Sequence, residues 1–272
     1  MLSTFVIALR EGLEAALIVG ILIAYIVKTQ RRQLLVPLWT GVALAIIASF
    51  GLGGFLSFTS AELTPKGGAF FAGTTSFLAV GFVTWMVFWM RSASRGLREE
   101  LNSKMEKALI TGPIALATTA FFAVAREGLE TALFVYANFK TVAATSNASI
   151  GLVLGFAVAI ILGALVYNRS VKLNLARFFT YTSIALIVVA AGVLSYGVHE
   201  FQELGWLPGA DSFAWDVTSW MANDSLLATI LGGTVGFDTT TSWLQLLIWS
   251  GYLLFTLMTY LRPARVSLST TR

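Results

Sequence analysis

Two ten-residue strings carry every charge that the chain places inside its apolar segments. The first runs Arg10-Glu11-Gly12-Leu13-Glu14-Ala15-Ala16-Leu17-Ile18-Val19 and the second Arg126-Glu127-Gly128-Leu129-Glu130-Thr131-Ala132-Leu133-Phe134-Val135, identical at eight of ten positions and 116 residues apart. On a helix, residues three and four apart share a face, so Glu11 and Glu14 point together with Arg10 beside Glu14, and the second string repeats the arrangement. Gly12 and Gly128 leave the neighbouring surface bare, which admits another helix at close range. Facing each other, the strings offer four carboxylates and two guanidinium groups around one point.

An ionisable side chain at the centre of a bilayer costs roughly 2.5–3.5 kcal/mol on insertion scales, so six left unpaired cost on the order of 15–20 kcal/mol. Two arginines neutralise two glutamates, and the two negative charges left over are relieved by protons or by a bound cation. Carboxylate oxygens with neither thiolate nor imidazole beside them favour a hard ion. A pair of Arg–Glu clamps that only holds helices together needs one glutamate per arginine, and here there are two. A proton relay without a metal is the other alternative.

The elements that position these strings follow from composition. Of 272 residues, 57% are apolar and 12% charged, with a mean hydropathy of +0.79; soluble domains carry roughly 25% charged residues. The absence of cysteine excludes disulfides and thiolate sites, and a single histidine excludes a multi-histidine centre. A net charge of +4 does not point to nucleic acid, because the basic residues fall between apolar runs and form no stripe with aromatics. A crossing helix takes about 20 apolar residues, and the segments 2–27, 34–58, 69–90, 108–137, 150–167, 178–198 and 243–261 meet that length or nearly so. An eighth run, 226–235, is too short to cross and reads as re-entrant or interfacial.

The expected fold is therefore all-α, a polytopic integral membrane protein of seven transmembrane helices in one membrane domain. Helices one to three (repeat one, 1–90) and four to six (repeat two, 108–198) each open on a motif helix, and an odd number of crossings per repeat makes the repeats inverted. A loop at 91–107, an outer loop at 199–242, helix seven at 243–261 and a tail at 262–272 complete the chain. One set of loops holds fourteen lysines and arginines, and the other holds only Lys66 and Lys140. The amino terminus is thus expected outside, retained as helix one, and the carboxyl terminus in the cytoplasm. Glu62, Glu200, Glu203, Asp211, Asp216, Asp224 and Asp238 give the outer loops an acidic surface that attracts cations. On this topology Glu11 lies roughly 13 Å and Glu130 roughly 10 Å below the outer surface, one common level at which the two strings can meet.

These residues carry a resemblance. Duplicated REGLE strings on helices one and four of a seven-helix protein resemble the iron permease family, with its fungal high-affinity and bacterial ferrous iron permeases. Phe122-Ala123-Val124-Ala125 before the second string, Thr84-Trp85-Met86-Val87-Phe88-Trp89-Met90-Arg91 closing helix three and His199-Glu200 after helix six resemble its bacterial branch. The resemblance implies iron import across the inner membrane, with Glu11, Glu14, Glu127 and Glu130 as iron ligands and Arg10 and Arg126 as their charge partners. It implies iron as the transported ion, no tightly bound cofactor, and no enzyme activity in the chain itself. Implied partners are membrane lipid, a periplasmic or extracellular iron-binding protein and an oxidase or peroxidase that supplies any redox step.

His199, Glu200 and Glu203 form an E-x-x-E pair with a histidine on the outer side, a candidate vestibule for metal capture or ordinary solvated charge. H-E-x-x-E lacks the second histidine of a zinc protease. Thr131 and Tyr136 are lesser oxygen candidates, whereas Met86 and Met90 read as lipid-facing or core. The rival functions are a permease for another cation such as manganese or lead, an intramembrane hydrolase using His199, and a non-transporting scaffold. No phosphate-binding loop of the G-x-x-x-x-G-K-[ST] type is present.

Overall fold

The computed structural model describes residues 2–61, 63–93, 103, 111–141, 145–168, 174–222 and 225–262. Long apolar runs become helices even where β-branched residues cluster, as at Ile187-Val188-Val189, and proline stands at the first position of two of them, where its missing N–H costs nothing. The elements are α1 (Leu2–Lys28), α2 (Leu35–Ala61), α3 (Pro65–Ala93), α4 (Pro113–Thr141), α5 (Thr145–Tyr167), α6 (Leu175–Glu203), β1 (Phe213–Asp216), α7 (Leu226–Val235), β2 (Thr240–Ser242) and α8 (Trp243–Leu261). Side chains fix several ends. Asn174 caps α6 and Ser225 caps α7, while Ser242 and Gln245 form a capping box at the start of α8. Gly236, at φ 71°, closes α7 in the left-handed conformation that glycine adopts without a Cβ clash.

The chain is a mostly helical membrane-type protein. Residues 32–59, 65–91, 149–167, 177–203 and 243–261 are five helical stretches long and apolar enough to cross a bilayer. The helices α1 and α4 have the length, 27 and 29 residues, but each carries a motif's three charges through its middle. Large apolar side chains such as Phe50, Phe55, Ile47, Val153 and Phe255 lie exposed on α2, α5 and α8. Faces of that kind suit lipid rather than water.

The helices pack in pairs that cut across the sequence order. The chief neighbours are α1 with α5, α2 with α4, and α3 with α6; α1 also crosses α4, and α8 lies along α6. Glycine makes these crossings close. A Cβ on Gly155 of α5 would stand 2.6 Å from the Phe5 carbonyl oxygen of α1, and one on Gly41 of α2 would stand 3.1 Å from the Phe121 nitrogen of α4. Phe5 and Phe121 occupy equivalent places, each five residues before its motif arginine. The α3–α6 contact is reciprocal too: Gly73 faces Phe201, Gly197 faces Phe77, and the Phe77 and Phe201 rings stack on each other at 5.5 Å.

Two apolar clusters flank the motif level. One gathers Ile7, Val83, Met86, Phe134, Leu186, Ile187 and Ala190; the other gathers Ile18, Leu22, Ile26, Leu38, Leu116 and Val124. Each motif therefore has one cluster before it in its helix and the other after it.

Three expectations are corrected. The stretch between α6 and α8, expected to be a loop around one short apolar run, also holds a ribbon, because β1 and β2 pair antiparallel; Trp215 in β1 donates to the Asp238 carbonyl at 2.8 Å, and aromatic and threonine residues favour such a ribbon. Helix six does not end at 198 but runs to Glu203, so His199, Glu200 and Glu203 sit in its last turns rather than in a loop. Helix three runs on to Ala93, and the Arg91 guanidinium there donates to the carbonyls of Tyr260 and Arg262, which ties the end of α3 to the end of α8. The charges expected at Glu62, Arg95, Arg98, Lys104, Lys107, Arg169, Lys172, Asp224, Arg265 and Arg272, and the side chain of Lys140, lie outside the described residues.

The crossings yield a contrast between two glycines. Gly155→Leu drives a side chain into the α1 backbone and should cost about 1–3 kcal/mol. Gly54→Ala meets open space and should stabilise its helix by up to about 1 kcal/mol. Thermal unfolding of the purified protein in detergent reads both, and a Gly155→Leu protein as stable as the parent would contradict the close crossing.

Candidate metal centre

Both strings fall inside helices, and the crossing of α1 with α4 brings their acids together. One carboxylate oxygen from each of Glu11, Glu14 and Glu127 lies within 4.8 Å of the other two. All three are buried, as is Glu130. The depth argument from sequence thus leads to an actual meeting of two strings 116 residues apart.

The arginines are placed differently in the two copies. Arg10 has no exposed surface; its Nη1 donates to Glu11 Oε1 at 2.8 Å and to Met86 Sδ at 3.1 Å. Its Nη2 stands 3.2 Å from Glu14 Oε1, off the angle a hydrogen bond needs. Arg126 has a side chain 34% exposed, and its Nε pairs with Glu130 Oε1 at 3.0 Å while Glu127 Oε1 is 3.9 Å away. The first arginine therefore bonds the glutamate next to it, and the second bonds the one a turn further on. Arg10 was expected beside Glu14, and it pairs with Glu14 and with Glu11 as well.

Pairing does not exhaust the acids. Glu11 Oε2, Glu14 Oε1, Glu127 Oε2 and Glu130 Oε2 are buried without a hydrogen-bond donor. A buried carboxylate oxygen left in that condition costs on the order of 1–3 kcal/mol or more. Donor-free oxygens on all four acids, three of which converge from two helices, suit a cation that supplies what the protein withholds.

The match to known proteins decides the identity. The sequence fits the iron permease FTR1 family over residues 1–268. The chain belongs to the iron permease family. It is 37% identical over 275 residues to the ferrous iron permease EfeU of Escherichia coli O6:H1, covering 100% of this chain and 99% of that one. It is also 37% identical over 271 residues to EfeU of Yersinia pseudotuberculosis, covering 97% and 95%. No solved structure matches. Iron permeases are transporters, and the relatives are named as such rather than as enzymes.

In this iron permease the remaining sequence candidates fall away from the centre or into supporting places. His199 spends its Nε2 on Glu203 Oε1 at 3.5 Å, within its own helix, and Glu200 accepts from the Tyr196 hydroxyl. Thr131 donates to the Glu127 carbonyl at 2.8 Å. Tyr136 is buried edge-on to Phe71. Met86 and Met90 are core residues, but Met86 also touches Arg10. Sequence reasoning passed over Trp89, whose ring lies 3.9 Å from Arg126 Cζ; the three-residue spacing of Met86 and Trp89 on α3 was the available signal.

Unequal burial separates the two arginines in stability. Removing one partner of a buried charge cluster costs about 3–5 kcal/mol, which Arg10→Ala should show as a large fall in thermal midpoint. Arg126→Ala, a third exposed in the parent, should lose distinctly less. Equal losses would refute the asymmetry.

Proposed function

We propose that this iron permease imports iron across the cytoplasmic membrane through a site made by the two R-E-x-x-E strings. The observation that carries the reading is the meeting of Glu11, Glu14 and Glu127 oxygens within 4.8 Å, in a chain of this family. Four glutamates against two arginines leave two negative charges at the site, a balance met by a divalent cation. Oxygen donors alone suit a hard or borderline ion. Glu130 completes the ligand set as the acid that Arg126 holds in reserve.

The topology proposed has seven spans, amino terminus outside, in two inverted repeats. It is supported by the loop charges, by the paired crossings of α1 with α5 and α4 with α2, and by the reciprocal α3–α6 contact. The two motif helices α1 and α4 then join the five apolar ones as spans. The outer end of α6 and the segment 204–242 form the entry side, with Glu200, Glu203 and His199 as a vestibule and Asp211, Asp216 and Asp238 drawing cations toward it. An iron-binding protein and an oxidase or peroxidase dock on that side and supply any change of oxidation state.

Purified protein in sealed vesicles should accumulate iron. Glu14→Ala and Glu127→Ala should abolish the flux by removing ligands, and Glu130→Ala by freeing Arg126 to occupy the pocket. A panel of ferrous, ferric, manganese and lead ions reads selectivity in the same vesicles. Undiminished iron flux in both Glu14→Ala and Glu127→Ala would sink the proposal, and preference for manganese or lead would reassign the cargo.

A further inference from the structure

The string that closes α3 does work that the glutamates do not explain. Met86 and Trp89 are three residues apart and share a face, and each meets one of the two guanidinium groups. Met86 Sδ accepts from Arg10, and the Trp89 ring lies 3.9 Å from Arg126 Cζ. Arg10 is enclosed on every side, although its Nε and Nη2 also lack a hydrogen bond. Arg126 is a third exposed and reaches Glu130 by its Nε, while its Nη2 is buried with no hydrogen bond.

Trp89 is itself braced. The Trp85 ring, one turn earlier, stacks on it at 6.4 Å and 28°, and Phe82 meets Trp85 edge-on at 6.3 Å. An indole face attracts a guanidinium through its quadrupole, more strongly where water is scarce. A planar guanidinium also stacks flat on such a ring. The competing attraction is close at hand: Glu127 Oε1 is 3.9 Å from Arg126 Nε, and beyond it lie the donor-free oxygens of Glu11 and Glu14. A guanidinium turned in that direction would bring a positive charge into the space that a cation requires.

We infer that Trp89 is a positioning residue that holds the Arg126 guanidinium on Glu130 and out of the pocket of Glu11, Glu14 and Glu127, and so sets that pocket's affinity for a divalent cation. The inference rests on reading the pocket as the iron site. It accounts for why three glutamates converge and the fourth does not: the platform on α3 decides which acid the second arginine takes.

The test is the concentration dependence of ferrous iron uptake in vesicles kept free of oxygen, comparing the parent, Trp89→Leu and Trp89→Phe. Loss of the aromatic face should raise KM about tenfold, equivalent to about 1.4 kcal/mol, with the maximal rate within about twofold. Phenylalanine keeps a π face and should return KM to near the parent value. An unshifted KM in Trp89→Leu overturns the inference, and so does a Trp89→Phe protein as impaired as Trp89→Leu, because bulk rather than the ring face would then be responsible. If Trp89→Leu does not purify as a monodisperse protein, Trp89→Met takes its place in the same comparison. Parent vesicles that take up no iron would instead overturn the site itself, whereas active parent vesicles with an unshifted Trp89→Leu KM would overturn only the role of Trp89.

Discussion

A carboxylate cannot be taken out of water without a partner, and this molecule takes four of them out of water at one level. Arg10, with none of its surface exposed, supplies the compensation that lets the first pair exist there. Its position between Glu11 and Glu14 requires an enclosing wall, and Met86, whose sulfur accepts from it, provides part of one. The close helix crossings, the small residues that permit them and the apolar clusters on either side all keep solvent from that guanidinium. Compensation is left incomplete, with one oxygen of each of the four glutamates buried without a donor.

The two copies of one motif are not equivalent in space. Arg10 bonds the adjacent glutamate and Arg126 the one a turn later, and only one is sealed from solvent. Identical local sequence thus yields two electrostatic settings, because the neighbours on α3 differ: a thioether beside one guanidinium, an indole beside the other. Three acids gather within 4.8 Å, and the fourth pairs with Arg126.

Much of this was legible in the residues. Six charges inside apolar runs could not be scattered, and their repetition at a spacing of 116 residues foretold a meeting. The short helix Leu226–Val235 has the limits that its apolar run implied. Helix ends were less legible, because α6 continues through the polar His199, Glu200 and Glu203, and hydropathy ends where polarity begins although the helical hydrogen bonds do not. The β1–β2 ribbon was missed because strands of four and three residues present too few alternations to be told from a loop. Met86 reads as lipid-facing or core and Trp89 is not singled out by the sequence, because their importance lies in which side chains they touch across helices; their three-residue spacing puts them on one face but does not say what that face meets.

The pairing of helices across the repeats has a mechanical consequence. Where backbone meets backbone through glycine, as at Gly155 against Phe5 and at Gly41 against Phe121, two helices have almost no freedom to slide or separate. The stiff bodies of this molecule are therefore α1 with α5 and α4 with α2, each assembled from both halves of the chain and each carrying one glutamate pair. Relative motion between those bodies lengthens or shortens the distance from Glu11 and Glu14 to Glu127 without bending any helix. The seam along which the molecule can yield runs between the two glutamate pairs, not between the first half of the sequence and the second.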